Sequence, residues 1–345
     1  MVRKNKRTPL VSVIIPVRQL SYYLLFENLP ALDEQTFRSF EVIVLPNEHS
    51  TYDLTLLKKY RWLRIIPTGT ITRPAEKRNI GVKESRGTYI AFIDDDAYPA
   101  HTWLESAVRQ MKLKRVRAVC GPGMIPSGAT DWEQVFDLIL RSRIGSGAYT
   151  YRFSQQPSRD VVDFPSMNFV MERSDFQLLG GFKNDYWPGE DSKLCNEITG
   201  QLKGTIRYNP AIAVYHHRRP SFRTFLKQHG QYGFHRGAFF AHGDHNSREL
   251  PYLIPSLFII YLCLYLPLLV CSLFFHGIPL WIISLPLLVY GLLSVLFFIQ
   301  SFIKSRNALT SFRAVLTLLS MHFMYGLEFI RGWRKGLNRD RSIYE

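Results

Sequence analysis

The sequence predicts an α/β domain, a mostly parallel sheet with flanking helices, followed by a C-terminal transmembrane helical segment. Three observations carry this prediction. Short β-branched runs alternate with helix-patterned stretches over the first hundred residues, the signature of a parallel sheet with right-handed crossovers. Three consecutive carboxylates, Asp94-Asp95-Asp96, end one of those runs. Residues 251–303 are almost wholly apolar.

Val11–Val17 reads as the first strand and Leu20–Thr36 as a helix despite Pro30. Glu41–Leu45 and Leu63–Ile66 read as the next two strands. Pro74–Ser85 reads as a helix, with Pro74 at the favoured first position and Thr72 as its cap. Thr88–Ile93 is the fourth strand. The Met1–Arg7 arm before Val11 looks like a signal peptide. The apolar run is short, contains Pro16 and meets Arg18 at once, so a buried strand after a basic arm is the better reading. Beyond residue 97 the pattern loosens. Trp103–Met111 and Ser192–Thr199 are helical, the latter ended by Gly200. Phe169–Met171 and Tyr208–Tyr215 are strand-like, and Gly121–Gly123 and Ser142–Ser158 read as loops.

Three adjacent carboxylates repel one another unless a cation neutralises them. In an extended chain Asp94 and Asp96 share one face and Asp95 opposes them. Such oxygen-rich sites suit Mg²⁺ or Mn²⁺; a solvated acidic turn is the alternative. Open α/β sheets bind ligands at the carboxyl ends of their strands. A nucleotide is therefore expected near Pro16–Gln19, Pro46–His49 and the acidic triplet.

The chain of 345 residues is long enough for two domains, and its net charge is +15. That charge fits anionic lipid or a phosphorylated substrate. The basic residues are dispersed and no RNA-binding or zinc-finger pattern occurs, so no nucleic-acid partner is expected. Arg218, Arg219, Arg223, Lys227, Arg236 and Arg248 gather before the apolar tail, as beside an anionic membrane face. Four cysteines without a CxxC pair exclude a disulfide framework and a zinc site, consistent with a reducing compartment.

Residues 218–250 mix aromatic, basic and His residues, with Gly230, Gly233 and Gly237 weakening a long helix. An amphipathic segment in the membrane interface is expected there. Six of the ten histidines lie in it or at its edge, without metal-ligand spacing. Residues 251–345 form the membrane domain. Spans are expected over about 252–275 and 278–303, with a tight turn at His276-Gly277. Lys304, Arg306 and Arg313 mark the following loop as cytoplasmic. The third helix, about 308–331, contains His322 and Glu328. A basic tail beyond it disfavours crossing, so it is read as interfacial or re-entrant.

In order along residues 10–217, six motifs resemble the family-2 glycosyltransferases, inverting enzymes of GT-A (Rossmann-like) fold. They are Ser12-Val-Ile-Ile-Pro-Val17, Arg78-Asn79-x-Gly81, Phe92-Ile-Asp-Asp-Asp96, Gly180-Gly-Phe182, Gly189-Glu-Asp191 with Leu194-Cys195, and Val214-Tyr-His-His217. The resemblance implies a catalytic domain over 1–217 that binds a nucleotide-sugar donor. It implies that Pro16 and Val17 border the nucleotide and Arg78 faces the diphosphate. Asp94 and Asp95 would lie on the nucleotide side. Asp96, with Asp94 and His217, would hold the metal, and Asp191 would be the catalytic base. Asn47 or Glu48 stands where the family often has a base-reading acid. For Arg78 the plain alternative is a surface helix charge, and for Asp191 a helix N-cap.

A cation at Asp96 would stabilise the departing nucleoside diphosphate, with help from Arg78 and Arg218. The Glu190-Asp191 pair, beside Trp187 on the acceptor side, suits a hydroxyl acceptor, which needs a base. A polyprenyl phosphate does not. Gln228-His-Gly-Gln-Tyr232 only faintly echoes the signature of processive synthases. The reading is a membrane-anchored transferase, its catalytic domain cytoplasmic. It would glycosylate a lipid-linked saccharide among membrane lipids and feed polysaccharide or glycolipid assembly. Alternatives are a polyprenyl-phosphate glycosyltransferase, a degenerate non-catalytic membrane scaffold and a small transporter; the spans lack the acidic residues that transport would need.

Overall fold

The computed structural model describes residues 8–48, 57–183, 189–243, 245–275 and 279–337. Its contacts gather into two compact units. One is Met1–Pro126 with Tyr151–His217; the other is Ser127–Thr150 with Arg218–Glu345. Residues 127–150, expected within the catalytic domain, thus group with the C-terminal helices.

The first unit is built on an eight-stranded sheet. Its strands are β1 (Val11–Pro16), β2 (Phe40–Leu45), β3 (Leu63–Ile65), β4 (Tyr89–Ile93), β6 (Val116–Cys120), β8 (Arg159–Val161), β9 (Asn168–Glu172) and β10 (Thr205–Tyr208). They lie in the order β3-β2-β1-β4-β9-β6-β10-β8. Strands β3, β2, β1 and β4 are parallel, whereas β9 runs antiparallel to both β4 and β6. A three-stranded sheet joins β5 (Ala97–Pro99), β11 (Val214–His216) and β7 (Gly123–Met124). Helices α1 (Leu29–Asp33), α2 (Pro74–Glu84), α3 (Trp103–Met111), α6 (Arg173–Leu178) and α7 (Glu190–Gly200) belong to the same unit.

All six residues of β1 and of β2 are buried, as continuous apolar runs are when both faces of a parallel sheet are covered. Strand order turns back at β1, which has β2 on one side and β4 on the other. A switch point of this kind opens a crevice beyond the strand ends. Two buried polar side chains tie strands together. Glu41 accepts from Ser12 Oγ (2.8 Å) and from the Arg86 backbone and guanidinium (2.7 and 2.6 Å), fixing the opposite end of the sheet. Asn168 donates to the carbonyls of Gly121 (2.8 Å) and Ile212 (2.7 Å) and accepts from Trp103 Nε1 (2.9 Å). It ties β9 to the turn after β10.

Several local expectations change. Tyr208–Tyr215 is not one strand. The chain turns after β10 at Asn209, and β11 joins the other sheet. Helix α2 is capped by Arg73 backbone rather than by Thr72. Helix α7 starts at Glu190, two residues before the expected Ser192, with Gly189 at its N-cap.

The second unit contains α4 (Asp131–Leu140), α5 (Arg143–Ser146), α8 (Phe222–Ala241), α9 (Leu250–Phe275), α10 (Leu280–Ser305) and α11 (Ala308–Leu337). The sequence reading missed α4, although Thr130 and Glu133 form a capping box before it, a signal visible as T-x-x-E. Helix α8 is continuous through Gly230, Gly233 and Gly237, against expectation. Those glycines are its packing face. A Cβ on Gly233 would lie 2.3 Å from Tyr325 O, and one on Gly237 2.0 Å from Phe329 O. From the α11 side, a Cβ on Gly332 would lie 1.9 Å from Phe234 O. Tertiary contact thus outweighs the propensity cost of three glycines. Helix α11 also runs unbroken, so no re-entrant turn lies within it.

Leu250–Ser272 and Leu280–Ser305 are long and apolar enough to cross a membrane, and most of their side chains are exposed. The expected turn at His276-Gly277 lies outside the described residues.

Gly237→Ala should lower stability by about 2–3 kcal/mol or more, because the clash is with backbone rather than with a movable side chain. A thermal melt of the full chain in detergent measures this. An unchanged melting temperature would contradict the close α8–α11 contact.

Candidate active site

The carboxyl ends of β1, β2 and β4 meet at one edge of the sheet, beside the small sheet. After β4 the chain bends, and Ala97 N–H donates back to Asp94 O (3.2 Å). The acidic triplet is therefore a turn, not the extended segment expected. Strand β11 pairs with β5 so that His216 lies opposite Ala97. This brings His216 Nε2 to 3.0 Å from Asp96 Oδ1. One ligand atom from each of Asp94, Asp96 and His216 lies within 4.8 Å of the others.

The imidazole in this cluster is His216, not the expected His217. His217 Nε2 lies 2.8 Å from Glu27 Oε2, and its ring stacks on Tyr23 at 4.1 Å. Its backbone N–H donates to Asp96 O (3.0 Å). Neighbouring residues of an extended chain face opposite ways, so only one of the pair faces the acids.

Asp95 accepts from Ser21 Oγ (2.9 Å). Burial first, then the Asp96 and Asp94 charges, push its carboxyl up to about 7.

Arg78 connects the two acidic groups of the site. It is 4% exposed, which excludes the surface-charge reading. Its Nη2 lies 2.6 Å from Asp94 Oδ1 and its Nη1 3.7 Å from Glu190 Oε1. Its Nε is buried without a hydrogen-bond partner among the described residues. The rest of the motif places it. Asn79 exchanges two hydrogen bonds with the Phe182 backbone, both 2.9 Å. Gly181, at φ +74°, lets that loop approach Asn79. Gly81 seats α2 on β1, since a Cβ there would meet Ile14 at 2.5 Å.

Where the sequence led us to expect a nucleotide, Pro16 and Val17 are buried at the end of β1 and Glu48 is exposed. The sequence reading passed over Lys77, which is 1% exposed. Its Nζ donates to Val17 O (2.6 Å), to Leu45 O (3.1 Å) and to Asn47 Oδ1. Burial lowers this ammonium to about 8, opposed by Asp95. The ends of β1 and β2 are thus held by a single cation, and Asn47 Oδ1 is bound from inside the protein.

Gly189 is the cap of α7, so Asp191 is not its N-cap. Asp191 Oδ1 accepts from Ser192 N–H (2.9 Å) and Oδ2 from Ser166 N–H (3.3 Å). Burial, then the charges of Glu190 and Asp163, push it up to about 7, against Ser192 N–H and Arg78. Glu190, expected on the acceptor side, is buried and faces Arg78, while its Oε2 accepts from Gly189 N–H (3.0 Å). Trp187 lies outside the described residues. Asp163 was also missed. It is 5% exposed, accepting from Ser192 Oγ (2.9 Å) and Arg152 Nη2 (3.3 Å). Its only sequence signal was an acid inside the apolar run Val161-Val-Asp-Phe164.

Within the second unit Arg218 is buried, its Nη2 lies 2.9 Å from Asp137 Oδ1, and its N–H donates to Glu133 Oε1 (3.1 Å).

Comparison with known proteins points to a family and a fold. The family model described as Glycosyl transferase family 2 matches residues 12–180. An uncharacterised glycosyltransferase of Rickettsia bellii is 34% identical over 119 residues, 32% of this chain and 16% of that protein. The pre-mycofactocin glycosyltransferase of Mycobacterium tuberculosis is 27% identical over 160 residues, 46% of this chain and 33% of the relative. The matches therefore span a third or less of these two relatives. Among solved structures, the mannosyltransferase PcManGT of Pyrobaculum calidifontis, in complex with GDP-Man and Mn²⁺, superposes with a TM-score of 0.56. It is 17% identical, and the match covers 91% of this chain and 88% of that one. The fold is thus of the GT-A kind.

The raised Asp191 carboxyl has a consequence for stability. Below pH 3.8 the group is protonated whether the chain is folded or not, and its contribution is fully present. As pH rises towards 7, the unfolded chain ionises freely while the folded one resists, so this contribution is lost. Asp191→Asn escapes that loss. Its melting temperature should exceed that of the parent by a margin that widens from pH 4 to 7 and then levels, about 2–4 °C for each kcal/mol. A margin independent of pH would show that Asp191 is not strained.

Proposed function

We propose that this chain, whose residues 12–180 match the model of glycosyltransferase family 2, is an inverting, metal-dependent transferase of that family. It moves a sugar from a nucleotide-sugar to a hydroxyl of a lipid-linked saccharide or glycolipid at the cytoplasmic face of a membrane. The observation that carries this reading is the continuous line Asp94–Arg78–Glu190, with Asp191 next in sequence. It links the acids suited to a leaving group with a carboxylate suited to a base.

Asp94, Asp96 and His216 would hold the cation. Two carboxylates and an imidazole suit Mn²⁺ better than Mg²⁺, which favours all-oxygen sites. Bound there, the ion would offset charge on the departing nucleoside diphosphate. The GDP-Man and Mn²⁺ bound by PcManGT are consistent with this donor class. Arg78, held between Asp94 and Glu190, places a fixed positive charge beside the leaving group. Asp191, raised to about 7, takes the proton of the attacking hydroxyl. That value favours a hydroxyl over an ionised phosphate acceptor. The long apolar α9 and α10 support a membrane location. Lys304, Arg306 and Arg313 around the α10–α11 junction put that junction, and with two spans the catalytic domain, on the cytoplasmic side.

Full-length protein in detergent should release nucleoside diphosphate from one member of a nucleotide-sugar panel when Mn²⁺ is added. Asp96→Ala should lower kcat/KM by about 100-fold or more. His216→Ala should lower it about 10-fold and narrow the preference for Mn²⁺ over Mg²⁺, and His217→Ala should leave the preference intact. Undiminished turnover in Asp96→Ala would reject the site.

Transfer to acceptor should rise about tenfold per pH unit below pH 7 and level above it. Asp191→Asn should remove that limb and cost about 10³-fold in kcat. Full transfer by Asp191→Asn would remove its role as base.

A further inference from the structure

Helices α8 and α11 enclose a groove of about 640 Å³ in the second unit. Its volume is that of a small-ligand site. The glycine contacts at 233, 237 and 332 fix the two helices backbone to backbone, so the groove is preformed. Leu226, Phe234 and Met324 supply an apolar floor. Arg223 and Lys227, one turn apart on α8, stand at its edge. Both are exposed, and neither has a hydrogen-bond or ion-pair partner among the described residues. Like charges at this spacing repel, which destabilises a helix unless an anion lies between them. Arg331 adds a third cation from α11, paired with Glu328 at 3.3 Å. His235 also lines the groove, and its buried Nδ1 has no hydrogen-bond partner among the described residues.

Two free cations over an apolar floor match a ligand with an anionic head and a hydrocarbon body. Neither a free anion nor a neutral lipid uses both features. We propose that this groove binds an anionic phospholipid, its phosphate between Arg223 and Lys227 and an acyl chain along Leu226 and Met324. The occupant comes from the bilayer itself, as suits a unit whose α9 and α10 present long exposed apolar surfaces. The proposal rests on the reading that those helices meet a membrane. The two readings can fail separately: protein that is soluble and monodisperse without detergent would remove the membrane reading, whereas lipid binding in micelles judges the groove alone.

The test uses full-length protein in a neutral detergent, titrated with dioleoylphosphatidylglycerol, dioleoylphosphatidylcholine or inorganic phosphate. Binding is read by native mass spectrometry and by melting temperature. Phosphatidylglycerol should bind saturably with one tight site, and the other two probes at least about tenfold more weakly. Arg223→Ala/Lys227→Ala should weaken phosphatidylglycerol at least about tenfold without lowering the ligand-free melting temperature. Arg334→Ala removes an exposed charge of α11 outside the groove and should change affinity less than twofold. Equal binding of phosphatidylcholine or of free phosphate would overturn the proposal. So would an equal loss in Arg334→Ala, which would mean diffuse attraction rather than a site.

Discussion

The pairing of Arg78 with Asp94 is the interaction on which the catalytic unit turns. Asp94, Asp95, Asp96, Asp163, Glu190 and Asp191 crowd one edge of a buried sheet, and burying carboxylates without countercharge is unfavourable. Arg78 meets two of them from an almost inaccessible position. Arg78 is buried while Asp94 is 30% exposed, so loss of Asp94 would leave the guanidinium buried with its best countercharge gone, which is unfavourable. Its place is set by packing. Gly81 lets α2 lie against β1, and Asn79 clasps the Gly181–Phe182 loop two hydrogen bonds deep. The motif Arg78-Asn79-x-Gly81 is therefore one mechanical device in which each residue type has a separate physical task.

The remaining negative charge is not fully compensated. Lys77 spends its charge on backbone carbonyls and Asn47 rather than on a carboxylate. Asp163 is matched by Arg152 and Ser192. Burial first, then the Glu190 and Asp163 charges, hold the Asp191 proton to near neutrality, although Ser192 N–H and Arg78 act the other way. A carboxylate relaxed by a salt bridge would be a weaker base. The raised carboxyl costs the fold some stability at this position, as strongly perturbed groups in clefts do.

Much of the catalytic fold was legible because strand alternation, terminal prolines and helix periodicity are local signals. Trp103–Met111 matched α3 to the residue, and Pro74 opened α2 as expected. The acidic triplet and Arg78 were found because their chemistry is conspicuous. What failed to show was tertiary. Gly230, Gly233 and Gly237 looked like helix weakeners because propensity ignores a neighbour, whereas contact with α11 makes them the tightest-packed positions of α8. Lys77 and Asp163 carry no spacing signature, since each is defined by carbonyls or side chains far along the chain. The split of Tyr208–Tyr215 into two sheets depended on a turn at Asn209 inside an otherwise strand-like run.

The choice between His216 and His217 shows how a distant pairing decides a site. In β11, Val214, Tyr215 and His216 pair with Pro99, Tyr98 and Ala97 of β5. Tyr98 and Tyr215 stack at 5.0 Å, which holds that register. A one-residue slip would turn every side chain to the opposite face and present the neighbouring ring to Asp94 and Asp96. His217 is secured on its own side by Glu27 and Tyr23, so the doublet is pinned from both directions. Which imidazole stands beside Asp94 and Asp96 is thus fixed by two tyrosines that touch no carboxylate of the triplet among the described contacts, and no local reading of His-His could have supplied it.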